Sequence, residues 1–185
     1  MSWTAYCYLL TPYSKFSGAS MKRLFSPWRS AYIASFKSAK HGKGCLFCRI
    51  AKARQDEKNL VVWRGKHCFL VMNLYPYNSG HLMVVPYLHT SDLSSIPDEA
   101  NVEIMQAAVR GMKALASVSG PQGFNFGANL GRAAGAGIDE HIHFHVVPRW
   151  SGDTNFMPVL ADVKLISEDM KKTWKQLCSA VKSRK

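Results

Sequence analysis

The chain has 185 residues, of which 47% are hydrophobic, enough for one domain of ordinary size with a real core. No run approaches the ~20 uninterrupted apolar residues of a membrane span, and five cysteines, an odd number, argue against a disulfide framework. A net charge of +12 favours anionic partners, without choosing nucleotide phosphates over nucleic acid.

Residues 1–44 read as a basic, partly disordered N-terminal extension. The first 20 are rich in Ser, Tyr and Gly and show no period, and Met21 is an alternative natural start. The opening "MSWTAYCYLLTPYSK" lacks the basic n-region and clean apolar stretch of a signal peptide, so a cytoplasmic location is the expectation. "KSAKHGKG" is a basic linker. Ten Lys or Arg residues precede the first acidic residue, Asp56, and six more lie between Lys171 and Lys185. The basic tail reads equally well as a plain solvated surface.

A compact domain spans 45–185. The short apolar runs "NLVVW" (59–63), "HCFLVMN" (67–73) and "HLMVVP" (81–86), broken by "RGK" and "LYPYNSG", predict an antiparallel meander. A helix follows in "PDEANVEIMQAAVRGMKALASV", with Val102, Met105, Val109, Met112 and Ala116 on the face expected to pack. "GFNFGAN" (123–129) and the segment from His141 predict two more strands. Ser167 is a candidate cap for a last helix whose Met170, Trp174, Leu177 and Val181 share a face. The fold class is α+β, an antiparallel sheet with packed helices.

Three stretches carry chemistry. In "DEHIHFHVVPRW" strict alternation predicts a strand with His141, His143 and His145 on one face and Ile142, Phe144 and Val146 on the other. Neighbours on one face lie roughly 7 Å apart, so the imidazoles can address one polyanion or divide into a metal ligand and a nucleophile. The bland reading is a polar strand face. Cys45 and Cys48, spaced Cys-x-x-Cys, suit zinc, with His89 and His141 as the complementary ligands; unliganded thiols or a redox dithiol are the competing readings. "NLGRAAGAGIDEH" is a Gly-rich connection whose backbone N–H groups can approach an anion, with Arg132 adding charge.

These residues resemble the histidine-triad superfamily of nucleotide hydrolases and transferases, whose His-φ-His-φ-His-φ-φ motif matches His141 to Val147. "MNLYPYNSGHLMVVPYLH", "NLGRAAGAGIDEHIHFHVVPRW" and "GDTNFMPVLADVK" look like the bacterial branch related to diadenosine tetraphosphate phosphorylases and hydrolases. The resemblance implies the histidine-triad fold, a homodimer or higher homo-oligomer pairing through its helix and C-terminal segment, and cleavage of dinucleoside polyphosphates. His143 then attacks the α-phosphorus and becomes nucleotidylated. His145 holds phosphate oxygens and helps the leaving group, and His81 supports the triad from a neighbouring strand. Asn73 grips the ribose, and Asn129, Arg132, Gly135 and Gly137 lie at phosphate-contacting positions. Zinc is the implied structural metal, at Cys45, Cys48, His89 and His141. Two plainer readings stand beside these: His81 as a buried histidine satisfied by backbone, and Asn73 as a turn stabiliser.

One departure bears on the reaction. Many members place Gln and then Ser or Thr before the first triad histidine, where this chain has Gly137 and Ile138. Hydrolysis with the familiar machinery is thereby less expected, and inorganic phosphate joins water as an acceptor. The absence of Gln directly after the second histidine argues against a hexose-1-phosphate uridylyltransferase. The alternatives are a non-catalytic nucleotide sensor, a nucleoside phosphoramidate hydrolase and, less expected, a basic zinc protein that binds nucleic acid.

Overall fold

The computed structural model describes residues 44–153 and 169–182. Expectations for the N-terminal extension, for Ser167 and for "GDTNFMPVLADVK" beyond Asp153 lie outside those residues. A short helix α1 (Leu46–Ala53) and a single turn α2 (Asp56–Asn59) lead into β1 (Val61–Arg64), β2 (Cys68–Met72) and β3 (Leu82–Pro86). The long helix α3 (Asp98–Ser119), β4 (Gly123–Ala128), β5 (Phe144–Arg149) and α4 (Met170–Lys182) complete the order. All strand pairs are antiparallel, and the spatial order is β1-β2-β3-β5-β4. The architecture is the expected α+β one. The last strand inserts between β3 and β4, which brings the histidine segment beside the strand that follows His81.

Alternation along the strands divides the core. Leu70, Leu82, Val84 and Val146 pack with α3 and α4 on one face. Phe69, Val71, Met83 and Val85 pack with Phe47 of α1 on the other. The long helix does not use the face that its larger apolar residues suggest. Val102, Met105 and Val109 are 57%, 53% and 46% exposed, whereas Ala100, Ile104, Ala107, Ala108, Gly111, Ala114 and Leu115 are buried. The reason is closeness of approach: a Cβ at Gly111 would lie only 3.2 Å from Leu82 Cδ1. A stripe of small residues lets the helix settle on the sheet, and packing density outweighs residue size.

Two local devices position the site. Arg64 of β1 donates to the carbonyls of Ala51 (3.1 Å) and Ile50 (3.2 Å) at the C-terminal end of α1 and bridges Asp56 (2.8 Å), which pins α1 to the sheet. Gly80, just before His81, sits at φ +76°, and a Cβ there would come within 2.7 Å of Leu115 Cδ2, so both conformation and packing require glycine. At the other end of the chain Asp169 caps α4: its Oδ1 accepts the N–H groups of Lys171 (3.0 Å) and Lys172 (3.1 Å). Leu177 and Val181 of α4 are buried, with Met170 and Trp174 packed beside them, as the helical spacing predicts. Among the described residues no helix is long and apolar enough to cross a membrane.

Candidate functional site

The segment from His141 to His145 keeps its alternation but not its strand. Ladder pairing starts only at Phe144, while Ile142 hydrogen-bonds through its N–H to the Thr90 carbonyl at 2.7 Å. Ile142 and Val146 enter the core under α3 and α4, with Phe144 packed against it, and the histidines turn to the α1 side, where Phe47 touches His141 and His143. Two of the three histidines precede the ladder, and the ring centroids of His143 and His145 stand 5.0 Å apart.

At one end of the row, Cys45, which precedes α1, Cys48 within it, His89 after β3 and His141 place one ligand atom each within 4.8 Å of the others. His141 Nδ1 stands 3.2 Å from Cys45 Sγ and 3.7 Å from Cys48 Sγ, and His89 Nδ1 stands 3.6 Å from Cys48 Sγ and 3.2 Å from His141 Nδ1. Corners of a tetrahedron built on usual Zn–N and Zn–S bonds lie about 3.3 to 3.8 Å apart, so the donor set fits that ion. The far nitrogen of His141 meets the Pro86 carbonyl at 3.0 Å, which puts the ring proton on Nε2 and leaves Nδ1 as a ligand lone pair. Burial pushes the Cys45 thiol pKa up, a penalty on the bare thiolate that a bound cation removes.

The next two histidines are fixed by their backbone partners in opposite senses. His143 Nδ1 lies 3.0 Å from the carbonyl of His141, which can only accept; Nδ1 therefore carries the proton and Nε2 keeps its lone pair. Burial, the larger influence, holds this imidazole below the usual histidine pKa despite the carbonyl bond. His81 is 1% exposed, and its Nδ1 accepts the Tyr77 N–H at 3.0 Å, so the neutral ring carries its proton on Nε2. That proton points at His145 Nδ1, 2.9 Å away, and His145 in turn holds its own proton on Nε2. One backbone N–H thus sets two imidazoles as donors.

The other expected residues divide. Asn73 is buried beside His81, with Nδ2 at 3.3 Å from His81 Nδ1, and its Oδ1 accepts the Tyr75 N–H at 3.0 Å, a turn-stabilising bond. Asn129 lines a cleft together with His145. Arg132 reaches Asp139 at 2.5 Å with its side chain 84% exposed, and Gly135 at φ +88° ends the short turn that carries it. This ion pair holds the guanidinium against Asp139. Gly137 is exposed, while Ile138 after it packs under α1 beside Val85. Sequence reasoning missed Phe47, Tyr77, Asn78 and Asp153. Asn78 donates to Asp153 (2.8 Å) and to the Pro148 carbonyl (3.1 Å), and its own carbonyl accepts the His81 N–H at 3.1 Å. Only the Asn-Ser-Gly turn signature of that loop hinted at such a role.

A sheet in this order, with a histidine row against α1 and a fourth histidine behind it, defines a histidine-triad protein. The HIT domain model matches residues 54–152, and the chain belongs to that family. It is 40% identical over 164 residues to an AP-4-A phosphorylase of Mycobacterium tuberculosis (strain ATCC 25618 / H37Rv), covering 86% of this chain and 84% of that protein. It is 31% identical over 105 residues to the adenosine 5'-monophosphoramidase HNT1 of Saccharomyces cerevisiae, covering 57% of this chain and 62% of that one. Among solved structures, a Zn-bound histidine triad family protein from Mycobacterium smegmatis superposes with a TM-score of 0.62 at 26% identity, covering 76% of this chain and 94% of that one.

Proposed function

We propose that this protein is a nucleotidyltransferase acting on dinucleoside polyphosphates of the diadenosine tetraphosphate kind. The observation that carries the reading is the His143 tautomer: with Nδ1–H committed to the His141 carbonyl, a neutral imidazole presents the Nε2 lone pair. Nε2 attacks the α-phosphorus, an N–P bond forms, and the bond to the bridging oxygen breaks as the nucleoside polyphosphate departs. His145, held as an Nε2–H donor by His81, offers a hydrogen bond to phosphate oxygens. An oxygen of the acceptor then attacks phosphorus and the N–P bond breaks, which returns His143 to its starting form.

Phosphate is the favoured acceptor. The Gly131–Gly137 turn carries small residues where many relatives carry Gln and Ser or Thr, leaving room and N–H groups for an incoming dianion. The name of the mycobacterial relative is in line with this. Diadenosine tetraphosphate and phosphate then give ADP and ATP; water would give AMP and ATP. A nucleoside phosphoramidate hydrolase is the second reading, favoured by the name of the yeast relative. Asn73 and Asn129 are assigned to nucleotide contacts, with Arg132, Gly135 and Gly137 in the phosphate loop. Zinc held by Cys45, Cys48, His89 and His141 supplies a structural cross-link between α1 and the histidine segment. The outward Val102, Met105 and Val109 stripe suits a homodimer contact on α3.

The test is a single-turnover trap for a phosphorus–nitrogen adduct on His143, followed by chromatography of products from a substrate panel with and without millimolar phosphate. AMP with ATP and no ADP would remove the phosphorylase reading and leave a hydrolase. No adduct and no turnover would leave a nucleotide sensor.

A further inference from the structure

Beyond His145 the α1 side of the sheet opens into a cleft of about 360 Å³, within the range of ligand pockets. Its floor follows from register. Gly127 pairs with His145 and Asn125 with Val147, so Asn125, Gly127, His145, Val147 and Arg149 share one face of β4 and β5. Tyr77 forms one wall.

The lining is a set of oriented donors. Arg149 Nη1 donates to Asn125 Oδ1 at 2.7 Å, which fixes the amide so that its NH₂ faces away from the guanidinium. The carboxylate beside the cleft, Asp153, is held by Arg149 (2.6 and 2.9 Å), the Asn78 amide (2.8 Å) and the Trp150 N–H (3.1 Å). His145 carries its proton on Nε2 by the argument above. With Arg149 paired to Asp153, what the cleft offers an anion is oriented hydrogen-bond donors, the chemistry of a phosphate-chain site. Its position suits a leaving group: His143 touches Phe47 and His145, and of these three only His145 lines the cleft.

We propose that this cleft receives the polyphosphate of the departing nucleotide, with Asn125 as a specificity-determining contact. The assignment rests on the nucleotidyl-transfer reading and narrows it to substrates whose leaving group is itself a nucleoside polyphosphate. A phosphoramidate, whose leaving group is an amine, makes no use of it.

Two variants separate the cleft from the rest of the site. Asn125→Asp keeps an oxygen for Arg149 and replaces the donor by a negative oxygen. Gly127→Val fills the floor, where an added Cβ meets nothing within 4 Å. Each is made in the His143→Ala protein, and affinities for AMP and diadenosine tetraphosphate are measured by calorimetry. In both variants tetraphosphate affinity falls by about tenfold or more while AMP affinity stays within about twofold, the size expected when a donor to a charged group is lost. Parallel loss of both ligands, unchanged tetraphosphate affinity, or a loss confined to one variant overturns the cleft assignment and leaves nucleotidyl transfer standing. If the His143→Ala protein binds neither nucleotide, the nucleotide reading itself fails, and the cleft with it.

Discussion

The two ends of the histidine row are built from the same side chain and do opposite things. At the Cys45 end, His141 Nε2–H donates a hydrogen bond to the Pro86 carbonyl, and Nδ1 turns a lone pair toward two sulfurs. At the Tyr77 end, His81 Nδ1 accepts a hydrogen bond from a backbone N–H, and its Nε2–H donates one to His145. His143 lies between, and like His141 it meets a carbonyl. The difference teaches that an imidazole becomes ligand, nucleophile or donor according to which backbone group it faces, a choice made by main-chain geometry two or more residues away.

Breaking the middle of the row should have the largest effect. His143→Ala is expected to lower turnover by at least about a thousandfold while nucleotide affinity stays within about tenfold, because the nucleophile is lost but not the binding surface. Steady-state kinetics alongside equilibrium binding checks it; substantial residual turnover would move the nucleophile elsewhere.

The Tyr77 end comes next. His81→Ala frees the His145 tautomer, and we expect kcat to fall about a hundredfold with KM little changed. His81→Gln, which retains a donor for His145 Nδ1, should lose less. Equal losses in the two variants would show that His81 fills space and does not set the proton.

The Cys45 end should respond in stability rather than in chemistry. Elemental analysis is expected to find about one zinc per chain, and Cys48→Ala to lose it and to lower the unfolding midpoint by about 5 °C or more, since metal-binding free energy is partly folding free energy. The folded fraction should keep kcat within about tenfold of the parent. A full complement of zinc in that variant removes Cys48 from the cluster, and a loss of kcat as deep as that of His143→Ala would mean that the two ends are not separable.

The smallest effect is a difference in labelling. Cys68 is 0% exposed under the helices, and burial pushes its pKa up to about 12, so at pH 8 almost none of it is thiolate in the folded protein. With a thiol reagent, chelator treatment is expected to expose Cys48 to modification while Cys68 stays unmodified. Labelling of Cys48 at the same rate with and without chelator would argue against a bound metal.

The periodic parts of this chain were legible as text. The short apolar runs "HCFLVMN" and "HLMVVP", bounded by turn residues, predicted β2 and β3, which are buried along their whole length, and Leu177 and Val181 marked the buried face of α4, because run length, turn punctuation and helical spacing are all local signals. Ligand spacing also showed in the Cys-x-x-Cys pair. The same local logic chose the wrong side of α3: it weighs apolar size, whereas the sheet selected the small residues around Gly111 that permit close contact. It placed all three histidines on a strand, whereas only His145 joins the ladder. The tertiary structure alone decided what each histidine faces. Cys45 and His141 are 96 residues apart in sequence, and the bond between Asn78 and Asp153 spans 75. Proton placement depends on those non-local partners and on single carbonyls and N–H groups, which every residue carries and which no residue letter records.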